Sequence, residues 1–302
     1  MDKHPSMISF ANGPERLLEA SIVLSITLLA AMFLGLSLIE VGRANPKSLR
    51  STLFKQLIVL SCTIPCLFLV SAFHLFGSVE PDEHGVVHKK DGFNYFTVLL
   101  SGSIMNSGVS DRSRHPTTLW VFCLNATVLH PLLCSCIWNA KAYAARMGFL
   151  DPWTMCGVHL AGGLAAFASA TVVGAASLSS FDRHPADLVL FSEDADERRA
   201  GCWRVACGTF GTLLFVWSNA LWNTFALSFH SDSDFHIDLY SGLNTLIAPS
   251  SAFFCSVAWR YLTFRRYKLE EALNMLTAGS IAISPTCAFL GAPQAALVGA
   301  GA

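Results

Sequence analysis

The chain has 302 residues, of which 53% are hydrophobic and only 14% are charged, whereas soluble domains contain about 25% charged residues. So few charges cannot cover a water-compatible surface, which excludes an ordinary soluble domain. The net charge is −1, and no basic patch is interleaved with aromatic residues in the way a nucleic-acid groove would require, so we expect no nucleic-acid partner. The ten cysteines form no CxxC pair, and most lie in apolar stretches, so we expect no zinc site.

The apolar runs predict an all-α, polytopic membrane helix bundle, because a membrane helix needs about 20 mostly apolar residues. Eight complete spans are predicted: Leu17–Val41, Gln56–Phe76, Phe93–Ser110, Thr117–Asn139, Pro152–Leu178, Trp203–Phe229, Ile237–Leu262 and Glu271–Leu290. A ninth run starts near Ala292 and stops with the chain at Ala302. We therefore expect about eight transmembrane helices and the beginning of a ninth.

The basic residues predict how the spans are oriented. With alternate loops assigned to the two sides, 14 of the 20 lysines and arginines fall on one side. The positive-inside rule makes that side cytoplasmic and places the N-terminus outside. The acidic stretch 179–202 would then be a cytoplasmic loop within a single membrane domain, 1–302. It separates a first half of five helices, 1–178, from an incomplete second half, 203–302.

The fifth span contains a histidine, His159, at membrane depth. Asp151 and Pro152 predict the start of this helix, as cap and first turn, which puts His159 about 12 Å along the axis. Ionisable groups at this depth usually face a cavity or a partner. An imidazole can relay a proton or contact a small polar solute; alternatively, His159 is a buried histidine bonded to a backbone carbonyl. In the fourth span, His130 precedes Pro131 and could be a local hydrogen-bond partner for a carbonyl that this proline frees.

The segment from Asp151 to Gly163 resembles the signature D-F-A-G-G-T-V-V-H of the ammonium transporter (Amt/Mep/Rh) family, with the same eight-residue step from the acid to the histidine. Four further segments are similar to family motifs and follow the same order along the chain: Gly35–Arg43, Ser107–Arg112, Leu243–Thr245 and Ala272–Gly279. The resemblance therefore extends over nearly the whole chain.

The resemblance implies two inverted halves, one narrow pore in each subunit and a homotrimer of the plasma membrane that conducts ammonium or ammonia. His159 would line the pore, and Asp151 would shape the vestibule, in addition to capping its helix. Trp138 would recruit the cation through cation–π attraction, unless it is only an interfacial anchor. Trp222 and Phe96 are the gate candidates, although Phe96 is out of register with the family's phenylalanine.

The resemblance also implies that one part of the family's pore is missing. The family's second pore histidine lies in its tenth span, whereas this chain ends in the ninth. Transport of ammonium or ammonia is thus the leading hypothesis. The alternative is a non-conducting homologue, either a sensor, a trimer partner or an incomplete gene product. The sequence has no catalytic grouping and no phosphate loop, so we expect neither enzyme activity nor a cofactor or a metal.

Overall fold

The computed structural model describes residues 14–44, 48–72, 89–137, 143–149, 151, 156–174, 195–225 and 238–302. The regular elements within these ranges are all helical. They are α1 (Pro14–Arg43), α2 (Leu49–Ala72), α3 (Lys89–Ser107), α4 (His115–Ile137), α5 (Tyr143–Arg146), α6 (Ala161–Val173), α7 (Ala195–Phe225), α8 (Leu239–Phe264), α9 (Leu269–Ile283) and α10 (Ala292–Gly301).

A helix occupies each of the eight predicted spans, and α10 occupies the predicted beginning of the ninth. Within the described residues, four segments are long and apolar enough to cross a membrane: Ile26–Arg43, Leu49–Leu69, His115–Ile137 and Gly201–Phe225. Gly157–Val173 is a shorter apolar helix. The all-α, multi-pass membrane architecture expected from composition is therefore confirmed.

Two predicted boundaries are wrong. The loop 179–202 does not extend to its expected end, because α7 begins at Ala195; Ala195–Ala200 has the sequence A-D-E-R-R-A, in which most residues are good helix formers. Residues 179–194 lie outside the described part of the chain. The eighth predicted span is not one helix to Leu290, since α9 ends at Ile283 and a 3₁₀ turn, Ser284–Thr286, follows. Pro285 explains this end because proline has no N–H to continue an α-helix.

Helices α1 and α7 cross closely, backbone against backbone, at glycines. A Cβ atom on Gly35 would lie 2.8 Å from the backbone nitrogen of Phe215 and 2.9 Å from the carbonyl oxygen of Gly211. Further along, a Cβ atom on Gly42 would lie 2.6 Å from the Cα atom of Gly208. Small residues permit such close approach in membranes, where van der Waals packing rather than the hydrophobic effect joins helices. The crossing fixes the position of Phe215.

Helices α3 and α6 approach each other in the same way. A Cβ atom on Gly162 would lie 2.9 Å from the carbonyl oxygen of Ser101, and one on Gly108 would lie 2.5 Å from the carbonyl oxygen of Ala166. A Cβ atom on Gly163, by contrast, would meet no atom within 4 Å. Of the two adjacent glycines Gly162 and Gly163, it is therefore Gly162 that brings α3 close to α6, the helix following His159.

A buried polar network joins α1 and α2 to the turn between α3 and α4. The Nζ atom of Lys55, a fully buried side chain, donates to the carbonyl oxygens of Ser110 at 2.5 Å and Ser113 at 2.7 Å. The hydroxyl of Ser110 donates to the carboxylate of Glu40 at 2.8 Å. Two of the segments that resemble the ammonium transporter family thus meet here, through Glu40 and Ser110.

A second buried polar cluster joins α7 to α8 and α9. The amide nitrogen of Asn219 donates to the Ser280 hydroxyl and the Ser284 hydroxyl, at 2.9 Å each. The amide nitrogen of Asn223, one turn later, donates to Thr245 Oγ1 at 2.9 Å. Interhelical hydrogen bonds of this kind stabilise helix association in membranes, so the cluster holds the three helices together.

Candidate functional site

The imidazole of His159 lies inside the helix bundle, in the fifth span. The side chain is only 7% exposed. The residue belongs to a π-helical turn, Cys156–Leu160, that leads directly into α6. Such wide turns are rare and occur frequently at functional sites. The described part of the span begins with this turn, because residues 152–155 lie outside the described residues.

The ring of Phe215, on α7, packs against the imidazole of His159. The two ring centroids are 5.9 Å apart and the planes are inclined at 83°, an edge-to-face contact. Phe215 is fully buried, and its backbone is held by the close crossing at Gly35. One side of the His159 imidazole is therefore covered by a fixed aromatic ring.

Neither ring nitrogen of His159 has a hydrogen-bond partner within the described part of the chain. A buried polar atom without a partner costs about 1–3 kcal/mol, so native structures contain few of them. The structural alternative considered from the sequence, a hydrogen bond from His159 to a backbone carbonyl, does not occur among the described residues. The imidazole thus keeps its capacity to donate one hydrogen bond and accept another.

The other predicted site residues are placed as follows. Asp151 is half-buried and lies near Cys134 of α4, on which its charge acts. Trp222 is buried in α7, 1% exposed. It follows Phe215 by seven residues, or about 10 Å along the helix axis. Trp138 lies outside the described residues, and of Phe96 only the backbone, within α3, is described.

The sequence did not single out Phe215 as a residue of the site. Its spacing of two helical turns from Trp222 puts both aromatic rings on one face of α7. The buried Asn219 and Asn223 lie on that face as well. The position of these four residues on one face of α7 could have indicated a buried, partly polar face. It does not tell which of the four residues contacts His159. That depends on where α1 and α7 cross.

The described residues contain no group of three or more histidine, cysteine, aspartate or glutamate side chains that could hold a metal ion. The arrangement instead suits a small solute that makes hydrogen bonds. It combines an imidazole with unused hydrogen-bonding capacity and an apolar aromatic wall. The fold defines the chain as a multi-pass α-helical membrane protein. Its interior contains a buried imidazole that can still make hydrogen bonds.

The chain belongs to the Ammonium Transporter Family, whose model matches residues 20–302. This is a family of transporters rather than of enzymes, and the membership confirms the resemblance seen in the sequence. None of the curated proteins compared with the chain matches it in sequence.

Solved structures of ammonium transporters and Rh proteins share the fold. The "Sensor Amt Protein" superposes with a TM-score of 0.76 and 18% identity, covering 95% of this chain and 72% of that one. The Rh50 protein of Nitrosomonas europaea gives 0.70 and 18%, covering 95% and 68%. Mep2 of Saccharomyces cerevisiae gives 0.66 and 16%, covering 93% and 66%. At these identities the similarity establishes the fold alone.

Proposed function

We propose that this chain carries ammonium or ammonia across the membrane through a pore in each subunit, and that His159 lines this pore. The observation that carries the proposal is the state of the His159 imidazole. It is buried, and neither ring nitrogen is bonded within the described part of the chain. Ionisable groups inside membrane proteins usually face a cavity, a pathway or a partner. Membership of the family indicates which solute would be that partner.

The chemistry of the imidazole suits a small nitrogen solute. A neutral imidazole offers one N–H donor and one acceptor nitrogen. Ammonia can use both, because it donates through N–H and accepts through its lone pair, whereas ammonium can only donate. The edge-to-face ring of Phe215 provides an apolar wall, and charged species pay a desolvation cost beside such a wall. The site therefore favours neutral ammonia over the ammonium ion as the species that passes His159.

Further parts of the proposal follow from the family resemblance. Asp151 shapes the entrance, Trp138 recruits the cation, and Trp222 or Phe96 contributes to a gate. The protein lies in the plasma membrane, and three copies assemble. The distribution of basic residues, rather than the resemblance, supports an N-terminus on the outside. The half-buried position of Asp151 near Cys134 and the burial of Trp222 are compatible with these roles.

The experiment uses a host that lacks its own ammonium transporters. The full chain is expressed, growth on limiting ammonium is scored, and uptake of labelled methylammonium is measured, with the amount of protein at the cell surface determined in parallel. We expect the wild-type chain to restore growth and uptake. His159→Ala removes two neutral hydrogen bonds of about 1 kcal/mol each, so uptake per surface molecule should fall about 30-fold. His115→Ala is the matched control, because it removes a histidine outside the proposed pore site. His115 lies at the beginning of α4, where the centroids of its ring and the Phe54 ring are 5.0 Å apart.

Two outcomes would contradict the proposal. If the wild-type chain reaches the surface but restores neither growth nor uptake, autonomous transport is rejected and the non-conducting homologue is favoured. If uptake by His159→Ala equals that of the wild-type chain, transport stands but its dependence on the histidine is rejected.

A further inference from the structure

An apolar groove lies between the N-terminal halves of α2 and α4. Its volume is about 450 Å³. Side chains of both helices line it, chiefly Phe54, Leu57, Ser61 and Cys62 of α2 and His115 and Leu119 of α4. Phe54, Leu57 and Leu119 are exposed, and both helices are long and apolar enough to cross a membrane. The groove therefore opens towards lipid rather than towards the interior of the bundle.

The groove has nearly the length of one leaflet of the bilayer. It extends from Phe54 to Cys62, eight residues or about 12 Å along the axis of α2, whereas one leaflet of the hydrocarbon core is about 15 Å thick. One turn beyond Cys62 the two helices meet, and the Sγ atoms of Cys66 and Cys123 are 3.8 Å apart. The π-helical turn of α4, Asn125–Leu129, begins two residues after this contact. The groove thus starts at one membrane surface and closes near the middle of the membrane.

Two exposed arginines lie at the surface end of the groove. Arg50 precedes Phe54 by one turn of α2, and Arg114 directly precedes His115, the first residue of α4. Both are exposed, and neither has an ion-pair partner among the described residues. The positive-inside rule predicts that this end of the two helices faces the cytoplasm. Two unpaired cations therefore lie at the level of the lipid headgroups of that leaflet.

The beginning of α4 adds positive potential at the same place. Arg114 occupies the N-cap position, and no side chain caps the first N–H groups of the helix. These groups carry the positive end of the helix dipole, which attracts anions and phosphate groups in particular. Asp111 does not neutralise Arg114, because its carboxylate pairs with Arg112 at 2.8 Å. An anion at this end is thus attracted by two guanidinium groups and by a helix N-terminus.

We propose that this groove binds one anionic phospholipid of the cytoplasmic leaflet, with an acyl chain between α2 and α4 and the phosphate at Arg50 and Arg114. Basic pockets between transmembrane helices on this side of a membrane bind anionic headgroups. A zwitterionic lipid fits the apolar part equally well, but the cation in its headgroup weakens its attraction to the arginines. The inference does not rest on the proposed function, since lipid binding can be measured in a chain that transports nothing.

The test is a lipid titration of the purified full chain, in which native mass spectrometry gives the dissociation constant of the first lipid bound. The probes are phosphatidylglycerol and phosphatidylcholine with identical acyl chains. The double variant Arg50→Gln, Arg114→Gln removes both charges, and Arg266→Gln, at an exposed position between α8 and α9, is its matched control. Leu57→Trp fills the groove, and Leu132→Trp, at an exposed position of α4 outside the groove, is its control.

Each arginine near an anionic headgroup contributes about a fivefold factor in affinity. We therefore expect the wild-type chain to bind phosphatidylglycerol about 30-fold more tightly than phosphatidylcholine. The double arginine variant should lose this preference, whereas Arg266→Gln should keep it. Leu57→Trp should weaken the binding of both lipids, because the acyl chain has lost its space, and Leu132→Trp should leave both unchanged.

Three outcomes would overturn the proposal. The first is equal affinity of the two lipids for the wild-type chain, and the second is an undiminished preference in the double arginine variant. The third is a Leu57→Trp variant that keeps its lipid but forms an assembly with a different number of copies, which would assign the groove to contact between copies. If Leu57→Trp does not fold, Leu119→Trp fills the same groove from α4 and decides in its place.

Discussion

The close crossing of α1 and α7 predicts that Gly35→Ala destabilises the protein. The new Cβ atom would lie 2.8 Å from the backbone nitrogen of Phe215, whereas ordinary contacts begin at 3.4 Å. The two helices would have to separate by about 0.6 Å, and because the atoms met first are backbone, no side chain can swing away. Overpacking of this kind costs about 1–3 kcal/mol. The displaced backbone is that of Phe215, so its contact with His159 should loosen.

Gly163→Ala is the matched control for this prediction. It makes the same chemical change in a helix, but its Cβ atom meets nothing within 4 Å. Alanine is intrinsically better than glycine in a helix by about 1 kcal/mol, and this gain is common to both variants. The difference between the two therefore isolates the packing penalty, which we expect to be about 1–3 kcal/mol.

The assay is thermal unfolding of the two purified variants in the same detergent, followed by methylammonium uptake in cells. Gly35→Ala should unfold at a lower temperature than Gly163→Ala and should transport more slowly per surface molecule. Equal or greater stability of Gly35→Ala would refute the reasoning, since it would mean that α1 and α7 are not in tight contact at this glycine.

Two further predictions concern the buried polar groups, both measured as the change in unfolding free energy of the purified protein. Lys55→Met should cost about 3 kcal/mol, because two carbonyl oxygens in the turn between α3 and α4 lose a charged donor whose hydrogen bonds are worth about 1.5–3 kcal/mol each. Lys268→Met, which removes a half-exposed lysine paired with an acid, should cost less than about 1 kcal/mol, and equal losses would contradict this account. Asn219→Leu should cost about 1–3 kcal/mol, since Ser280 and Ser284 lose their shared donor; unchanged stability would show that the cluster does not join α7 to α9.

Much of the fold could be predicted because the membrane imposes a simple rule on sequence. Apolar runs such as Gln56–Phe76 and Thr117–Asn139 had to be helices, and α2 and α4 are found there. The boundaries were less accessible. The polar segment before Trp203 looks like a loop by hydropathy, yet it continues α7 as far back as Ala195. Hydropathy measures what lipid tolerates and does not indicate where a helix ends beyond the membrane.

The candidate site was predictable only in part. Depth and composition pointed to His159, and its burial agrees with this. Phe215 could not have been identified, because its contact with His159 depends on a helix crossing between residues far apart in the sequence. The role of His130 was expected to be local, as a partner for a carbonyl that Pro131 frees within α4. In the structure its Nε2 atom lies 3.2 Å from the hydroxyl oxygen of Thr97, on α3.

The π turn in α4 has a consequence for any comparison of this chain with its relatives. A turn at Asn125–Leu129 that holds one residue more than an α-helical turn behaves like a single-residue insertion buried in an unbroken helix. If residues are matched one to one through this turn, each later residue is paired with a position rotated by about 100° around the helix axis. An alignment of the fourth span with a helix that lacks such a turn therefore needs a one-residue gap within the transmembrane helix. Without that gap, His130 and the residues after it would be matched to the wrong neighbours.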